Sequence, residues 1–321
     1  MQIDRANIKN ILVVRNDRFG EFLLNIPALR ALKETFINTR IIAVVNSYVK
    51  ELVECMPFVD EIIEWGREKH ALSRKLKLIG NLRKKNINIA IMLNPSPEFN
   101  IFTYLAGIPI RVGYDRKWGF LLTHKIEDKK YLGEKHEVEY NLELVDLIQA
   151  KTEDKTLSLK IDSSITDNFG VKDNANLVAV HPWTSDAVKQ WPIDNFRKLS
   201  ERLIKEKNLK IAIIGGKEEL NKNKELFSDS NLINMTGKTT LKQLASLLKK
   251  SRLLISGDSG PVHLACAVGT PVIVIFRNDI PGKSAKRWGP WGPGNFIIEK
   301  DNLCDITVDE VFSKAKEALN R

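Results

Sequence analysis

Two carboxylates, Asp17 and Glu21, stand four residues apart directly behind the apolar run Ile11–Val14. A carboxylate at the carboxyl end of a buried strand can take a proton from a bound hydroxyl, and ligands of open α/β sheets bind at that end. Glu21 also opens a helical pattern, where a negative charge is favourable near the helix dipole without any catalytic role. Residue type alone leaves both readings open. The stretch Arg15–Glu21 has one glycine, Gly20, and no G-x-G-x-x-G occurs anywhere in the chain. A nicotinamide or flavin enzyme is disfavoured, because the backbone cannot approach a pyrophosphate there in the usual way.

A second stretch, His181–Pro192, carries two hydroxyls, Thr184 and Ser185, and then Lys189 shortly before a helix entered through Trp191 and Pro192. Proline suits the first helical turn. A lysine with two hydroxyls at a strand end can hold phosphate oxygens; a plain exposed loop lysine is the alternative. A third stretch reads Ser-Gly-Asp-Ser-Gly-Pro-Val-His over residues 256–263. Gly257 and Gly260 give the backbone room, and Pro261 fits the opening turn of a helix. Free amides at such a helix end form a site for a diphosphate. Asp258 and Ser259 can equally be caps, and His263 a packed side chain. No D-x-D pair is present to hold a metal-bridged sugar nucleotide, and neither H-x-x-x-H nor G-x-S-x-G occurs, which disfavours zinc peptidases and α/β-hydrolases.

Elements to position these loops follow from the apolar pattern. Short apolar runs predict strands at Ile11–Val14, Ile41–Val45, Glu61–Glu64, Ile89–Leu93, Leu177–His181, Leu209–Gly215, Leu253–Ser256 and Val272–Phe276. Stretches of 3.6-residue periodicity predict helices over Phe22–Phe36, Tyr48–Cys55, Ala71–Lys85, Ile193–Lys207, Glu218–Phe227, Leu241–Lys250, Val262–Val268 and Val308–Leu319. Alternation of this kind implies right-handed βαβ units and parallel sheets. A polar stretch, Lys151–Asn176, separates two such runs. The expected fold is α/β, with two Rossmann-like domains, 1–165 and 166–321, facing a central cleft. No sequence repeat relates the halves.

Composition narrows the function classes. With 43% hydrophobic and 28% charged residues the chain is neither disordered nor fibrous. No apolar run approaches the roughly 18 residues of a spanning helix. Asp4 and Arg5 stand where the apolar core of a signal peptide would begin, so a cytoplasmic location is expected. Three cysteines without CxxC spacing argue against a disulfide framework or a zinc site. The net charge of +10 is spread evenly: residues 1–160 hold 26 Lys+Arg against 21 Asp+Glu, and the remainder 24 against 19. Without a basic tail, nucleic acid is not an expected partner.

One segment, Trp65–Lys85, concentrates eight cations against a single anion, Glu68. It reads either as a solvated helix face or as a surface for an anionic membrane. Within it, Leu72, Leu76, Ile79 and Leu82 are spaced to form a core-facing stripe, which would leave Arg74, Lys75, Lys77, Arg83, Lys84 and Lys85 outside.

Taken in order, these segments resemble glycosyltransferase family 9, the ADP-heptose:lipopolysaccharide heptosyltransferases and their relatives. The similar stretches are ILVVRNDRFGEFLLNIPALRALK at 11–33, RVGYDRKWGFLLTHK at 111–125 and KHEVEYNLELV at 135–145. HPWTSDAVKQWPIDNF at 181–196, GDSGPVHLACAVGTPVIVIF at 257–276 and RWGPWGP at 287–293 complete them. The resemblance implies a GT-B fold, with acceptor on the amino-terminal half and nucleotide sugar on the carboxyl-terminal half. It leaves room for the last helix to cross back onto the first domain.

It also implies an inverting, metal-independent and cofactor-free transfer of heptose from ADP-heptose to a lipopolysaccharide core-type glycolipid or oligosaccharide. The enzyme would be peripheral at the inner face of the inner membrane. Glu21 would be the base, with Asp17 and Arg18 on the acceptor side. Thr184, Ser185, Lys189 and the amides around Ser259–Gly260 would hold the diphosphate, and Glu218 the ribose. Asp258 and His263 would lie near the donor sugar or phosphates. Two positions depart from the family pattern: Glu21 replaces its usual aspartate, and Trp183 replaces the glycine common after His-Pro. A non-catalytic sugar-nucleotide-binding module and another GT-B enzyme, such as a sugar-nucleotide epimerase, are the competing classes.

Overall fold

The computed structural model describes residues 4–162, 164–165, 176–207, 209–222 and 232–320, and the chain forms two compact units, Met1–Lys155 and Thr156–Arg321. The first contains β1 (Asn10–Val14), α1 (Phe19–Leu23), α2 (Ile26–Thr35), β2 (Arg40–Val45), α3 (Lys50–Val53) and β3 (Glu61–Glu64). It continues with α4 (Leu72–Lys84), β4 (Ile89–Met92), α5 (Pro97–Leu105), β5 (Ile110–Tyr114), β6 (His124–Ile126) and α6 (Glu137–Asp146). The second contains β7 (Leu177–His181), α7 (Ile193–Lys207), β8 (Lys210–Ile213), β9 (Leu232–Asn234), α8 (Leu241–Lys250) and β10 (Leu253–Gly257). It ends with α9 (Gly260–Val268), β11 (Val272–Arg277), α10 (Ala285–Trp288), β12 (Phe296–Lys300) and α11 (Val308–Leu319).

Each unit holds a six-stranded sheet, ordered β3-β2-β1-β4-β5-β6 in the first and β12-β11-β10-β7-β8-β9 in the second. Every strand pair is parallel. Counted from its own first strand, the second sheet has the same order as the first, although the sequences share no repeat. In both, the order reverses beside the first strand: between β1 and β4, and between β7 and β10. That reversal leaves a crevice at the carboxyl ends of the strands, where ligands of such sheets bind. The stretches behind β1, β7 and β10 all start there.

Near-continuous burial of β1, β2, β4, β7, β10 and β11 is what a sheet covered on both faces requires. The predicted helix over Phe22–Phe36 is instead two helices. Pro27 has no N–H to offer the carbonyl of Leu23, so the ladder breaks there. The Asn25 side-chain amide fills the gap by donating to the carbonyls of Glu21 (2.9 Å) and Phe22 (3.0 Å). The predicted helix over Tyr48–Cys55 shrinks to α3, preceded by the tight turn Ser47–Val49. Of the helix predicted over Glu218–Phe227, the structure has a single turn, Lys217–Glu219, and residues 223–227 lie outside the described residues.

The stripe predicted on α4 is rotated. Leu78 and Leu82 are its buried residues and Ile79 is half-buried, whereas Leu72 and Leu76 are 71% and 58% exposed. Both leucines therefore share the solvent side with the cations. The closing helix, α11, belongs to the second unit: Val311, Phe312, Ala315 and Leu319 join Phe196, Leu199 and Leu203 of α7 in one apolar cluster.

Candidate active site

In the first unit, the chain leaving β1 turns the side chains of Arg15 and Asp17 inward. Arg15 is buried, and its guanidinium makes three contacts: Nε to Asp17 Oδ1 (2.8 Å), and Nη1 to the Leu93 carbonyl (3.2 Å) and Glu137 Oε1 (3.2 Å). Burial opposes the cation, but the carboxylates of Asp17, Glu137 and Glu21 outweigh it, and Arg15 stays charged with a raised pKa. Arg67 approaches the other oxygen of Asp17 at 3.6 Å, and the Tyr48 hydroxyl donates to the Asp17 carbonyl (3.4 Å).

Glu21 lies in the first turn of α1, half-buried, four residues beyond Asp17 in the preceding loop. Burial, and then the neighbouring Asp17 carboxylate, push its pKa above the ordinary 4.5, against the opposing pull of Arg15 and Arg18. A carboxylate with raised proton affinity is a better proton acceptor than an exposed one. Arg18, the N-cap of α1, is exposed.

In the second unit the loops behind β7 and β10 meet. Lys189 ion-pairs with Asp258. A Cβ on Gly257 would stand 2.9 Å from Thr184 Cγ2, so glycine is what lets the two loops touch. The first loop is held in shape by Gln190, whose Oε1 accepts from the Thr184 amide (3.1 Å) and whose Nε2 donates to the carbonyls of Pro182 (2.6 Å) and Trp191 (2.7 Å). Thr184 donates its own hydroxyl to the Asp186 carbonyl (2.9 Å). Behind it, the Trp191 indole is fully buried and donates to the Ile306 carbonyl (2.9 Å).

Ser259 is the N-cap residue of α9, yet its side chain does not cap the helix. It sits 2.8 Å from Ser256 Oγ and 3.1 Å from His181 Nδ1 instead. Burial drives the His181 pKa down to about 4, so this imidazole is neutral and acts as a hydrogen-bonding group. His263 is buried in the same helix, one turn in. Lys189, Thr184, Asp258, Ser259 and Gly260 are thus brought to one place, on two loops flanking the reversal of strand order. Ser185, on the same loop, is exposed.

Glu218 stands farther along, on the turn behind β8, with its carboxylate against the Cα of Gly216. Its neighbour Glu219 is the buried one and accepts from the Gly216 amide (2.5 Å). Trp183, at the position where the family has glycine, is buried flat against Gly215; a Cβ there would fall 2.7 Å from the indole.

Three participants escaped the reading of the sequence: Arg15, Glu137 and Lys130. Glu137 is 1% exposed and Lys130 5%, and they pair at 2.7 Å. The signal for Glu137 was KHEVEYNLELV, an acidic residue opening a helix, which composition alone does not distinguish from a solvated cap. Arg277 escaped as well; it leaves β11, pairs with Asp279 (2.5 Å) and donates to the Val188 carbonyl (3.0 Å) in the Lys189 loop.

Known proteins share this fold. The lipopolysaccharide heptosyltransferase 2 of Escherichia coli K12 is 22% identical over 291 residues, covering 84% of this chain and 83% of its own. A glycosyl transferase family 9 structure from Veillonella parvula superposes with a TM-score of 0.85 at 19% identity, covering 100% of this chain and 99% of its own. The E. coli heptosyltransferase WaaC with ADP-2-deoxy-2-fluoro heptose gives 0.75 at 19% identity, covering 96% and 99%. These likenesses establish the GT-B class of the fold. The family model Glycosyltransferase family 9 (heptosyltransferase) matches residues 75–316, three-quarters of the chain and including the Lys189 and Asp258 loops. On that match the chain belongs to glycosyltransferase family 9, and it is a glycosyltransferase.

Proposed function

We propose that the protein transfers heptose from ADP-heptose to a lipopolysaccharide core-type acceptor, with inversion and without a metal ion. The observation that carries this reading is the convergence of the β7 and β10 loops, which brings a lysine, hydroxyls and a helix N-terminus together. The diphosphate of the donor lies against Lys189, Thr184, Ser185 and the first amides of α9, and Glu218 takes the ribose hydroxyls. Those cationic and dipolar groups absorb the charge that develops as the bond from the anomeric carbon to the phosphate oxygen breaks. Glu21 accepts the proton of the acceptor hydroxyl as that oxygen bonds to the anomeric carbon from the opposite face. Atoms and charge balance with ADP, the glycoside and a protonated Glu21 as products. Asp17 and Arg18 flank the acceptor, and Asp258 and His263 the donor.

Family membership and the relatives' names support this choice of donor base, sugar and acceptor. The test is ADP release and glycoside formation with ADP-heptose and a heptose-free core glycolipid, in the presence of EDTA, with the anomeric configuration read by NMR. Retention of configuration, or a strict need for divalent metal, overturns the mechanism. An isomerised sugar nucleotide formed without acceptor makes the protein an epimerase. Donor binding with neither outcome makes it a binding module.

The same reading includes peripheral docking on the cytoplasmic face of the inner membrane. It is supported by the solvent side of α4, where Leu72 and Leu76 stand beside Lys77, Arg83 and Lys84. Apolar side chains with flanking cations suit an anionic lipid surface.

A further inference from the structure

Behind the β1 loop lies a run of alternating charges that binding and chemistry, as described so far, leave without a task. Lys130 Nζ touches Glu137 Oε1 at 2.7 Å, and the same oxygen receives Arg15 Nη1 at 3.2 Å. Arg15 Nε then holds Asp17 at 2.8 Å, and Asp17, in the loop leading into α1, stands four residues before Glu21. The first three residues are all under 6% exposed. Lys130 is boxed by the rings of Tyr114 (4.5 Å) and Tyr140 (5.8 Å), and the Tyr114 hydroxyl donates to the Tyr140 carbonyl (3.1 Å). Glu137 is fixed as the first residue of α6 by a reciprocal cap between His136 and Glu139.

Buried ion pairs are poor stabilisers, since desolvation offsets most of their attraction and apolar replacements are often as good. A chain of three buried charges ending beside a carboxylate has a better rationale as a charge-setting device. We propose that Lys130 and Glu137 are positioning residues for Glu21: through Arg15 they fix the place and net charge of the Arg15–Asp17 pair that Glu21 faces. The inference rests on Glu21 being the base.

The sign of each effect follows from charge alone. The groups facing Glu21 are Asp17, Arg15, Arg18 and the Tyr48 phenol. Those around the far end are Lys130, Glu137 and Tyr114, with Asp128 and Glu143 acting on Tyr114 from farther off. Lys130→Met removes a buried positive charge and frees Glu137 to draw Arg15 from Asp17, so Glu21 holds its proton more tightly. Glu137→Gln leaves Arg15 to Asp17 and adds net positive charge, so Glu21 releases its proton more easily. The double variant is charge-neutral.

The experiment is the pH dependence of kcat/KM for transfer, with ADP binding and thermal melting as controls of folding. The acid limb is expected to move up in Lys130→Met and down in Glu137→Gln, each by roughly half a pH unit or more. In the double variant it returns close to wild type. Limbs that stay in place, or move in the same direction, overturn the inference. Where a single variant does not fold, Lys130→Arg and Glu137→Asp replace the pair. Each keeps its charge, so the limb holds while kcat drops several-fold, and unchanged kcat in both overturns the inference. Glu21→Gln separates the two levels: if that variant keeps its activity, the base assignment has failed, whatever the limbs do.

Discussion

Lys189 closes its ammonium onto the carboxylate of Asp258, tying the loop behind β7 to the loop behind β10. The lysine therefore does not wait in isolation for an anion; it is held in place by a carboxylate that a bound diphosphate must share it with. Lys189→Ala removes a charge-assisted contact and also leaves Asp258 facing the phosphates. A loss of roughly 1.5–3 kcal/mol, about 10- to 150-fold, is expected for ADP and little for adenosine. Adding Asp258→Ala recovers part of it. Calorimetry with both ligands checks this: equal losses for ADP and adenosine mean that the lysine acts on packing.

Glu21→Gln abolishes transfer, by about 10²–10⁴ in rate, with donor affinity within a few-fold of wild type. The same change carries a stability signature. Because the folded state raises the Glu21 pKa above 4.5, folding favours the protonated form. Stability is then fully present below the ordinary pKa and is lost as pH rises through the folded one. At neutral pH Glu21→Gln melts higher than wild type, and the difference closes as the pH approaches 4.5. A variant that melts lower at pH 7 contradicts the raised proton affinity.

His181 gives the opposite slope. Its pKa falls to about 4 in the fold against an ordinary 6.5, so the neutral ring contributes stability that is present above pH 6.5 and lost between there and 4. Urea midpoints of wild type and His181→Gln, compared from pH 7.5 to 4.5, are expected to converge as the pH falls. A constant gap means that the histidine titrates alike in both states.

The wild type is expected to bind vesicles rich in phosphatidylglycerol at low salt and to be released by high salt. Each cation near such a surface contributes about 1 kcal/mol, so Lys77→Glu with Lys84→Glu lowers binding sharply. Leu72→Ser with Leu76→Ser lowers the salt-resistant part, and ADP affinity is unchanged in both. Sedimentation with neutral and anionic vesicles measures it. If neither vesicle retains the wild type at low salt, α4 is only a solvated face.

Long, strongly periodic elements were legible before the structure: α7, α8 and α11 match their predicted spans, and the strands leading to all three loops were placed within a residue or two. What escaped was the whole run after β4, that is α5, β5, β6 and α6, together with the outer strands β9 and β12. The strand His124–Ile126 has three residues and no apolar alternation, and β12 alternates around a single buried residue, Ile298. The loop residues could be nominated from their types. Their pairings could not, because Lys189 with Asp258 is a contact 69 positions apart and Arg15 with Glu137 one of 122. On α4 half of the expected stripe holds, since Leu82 is buried and Ile79 half-buried, whereas Leu72 and Leu76 face solvent and Leu78 is buried instead.

The outermost strands of both sheets, β3, β6, β9 and β12, run only three to five residues. β3 carries glutamate at both ends, and Glu61 is paired to Arg40 and Lys85. Such short, charged borders expose little unpaired backbone for a neighbouring chain to extend. The unit finished first during synthesis can therefore wait for the other without being captured, edge to edge, by another copy in a crowded cell.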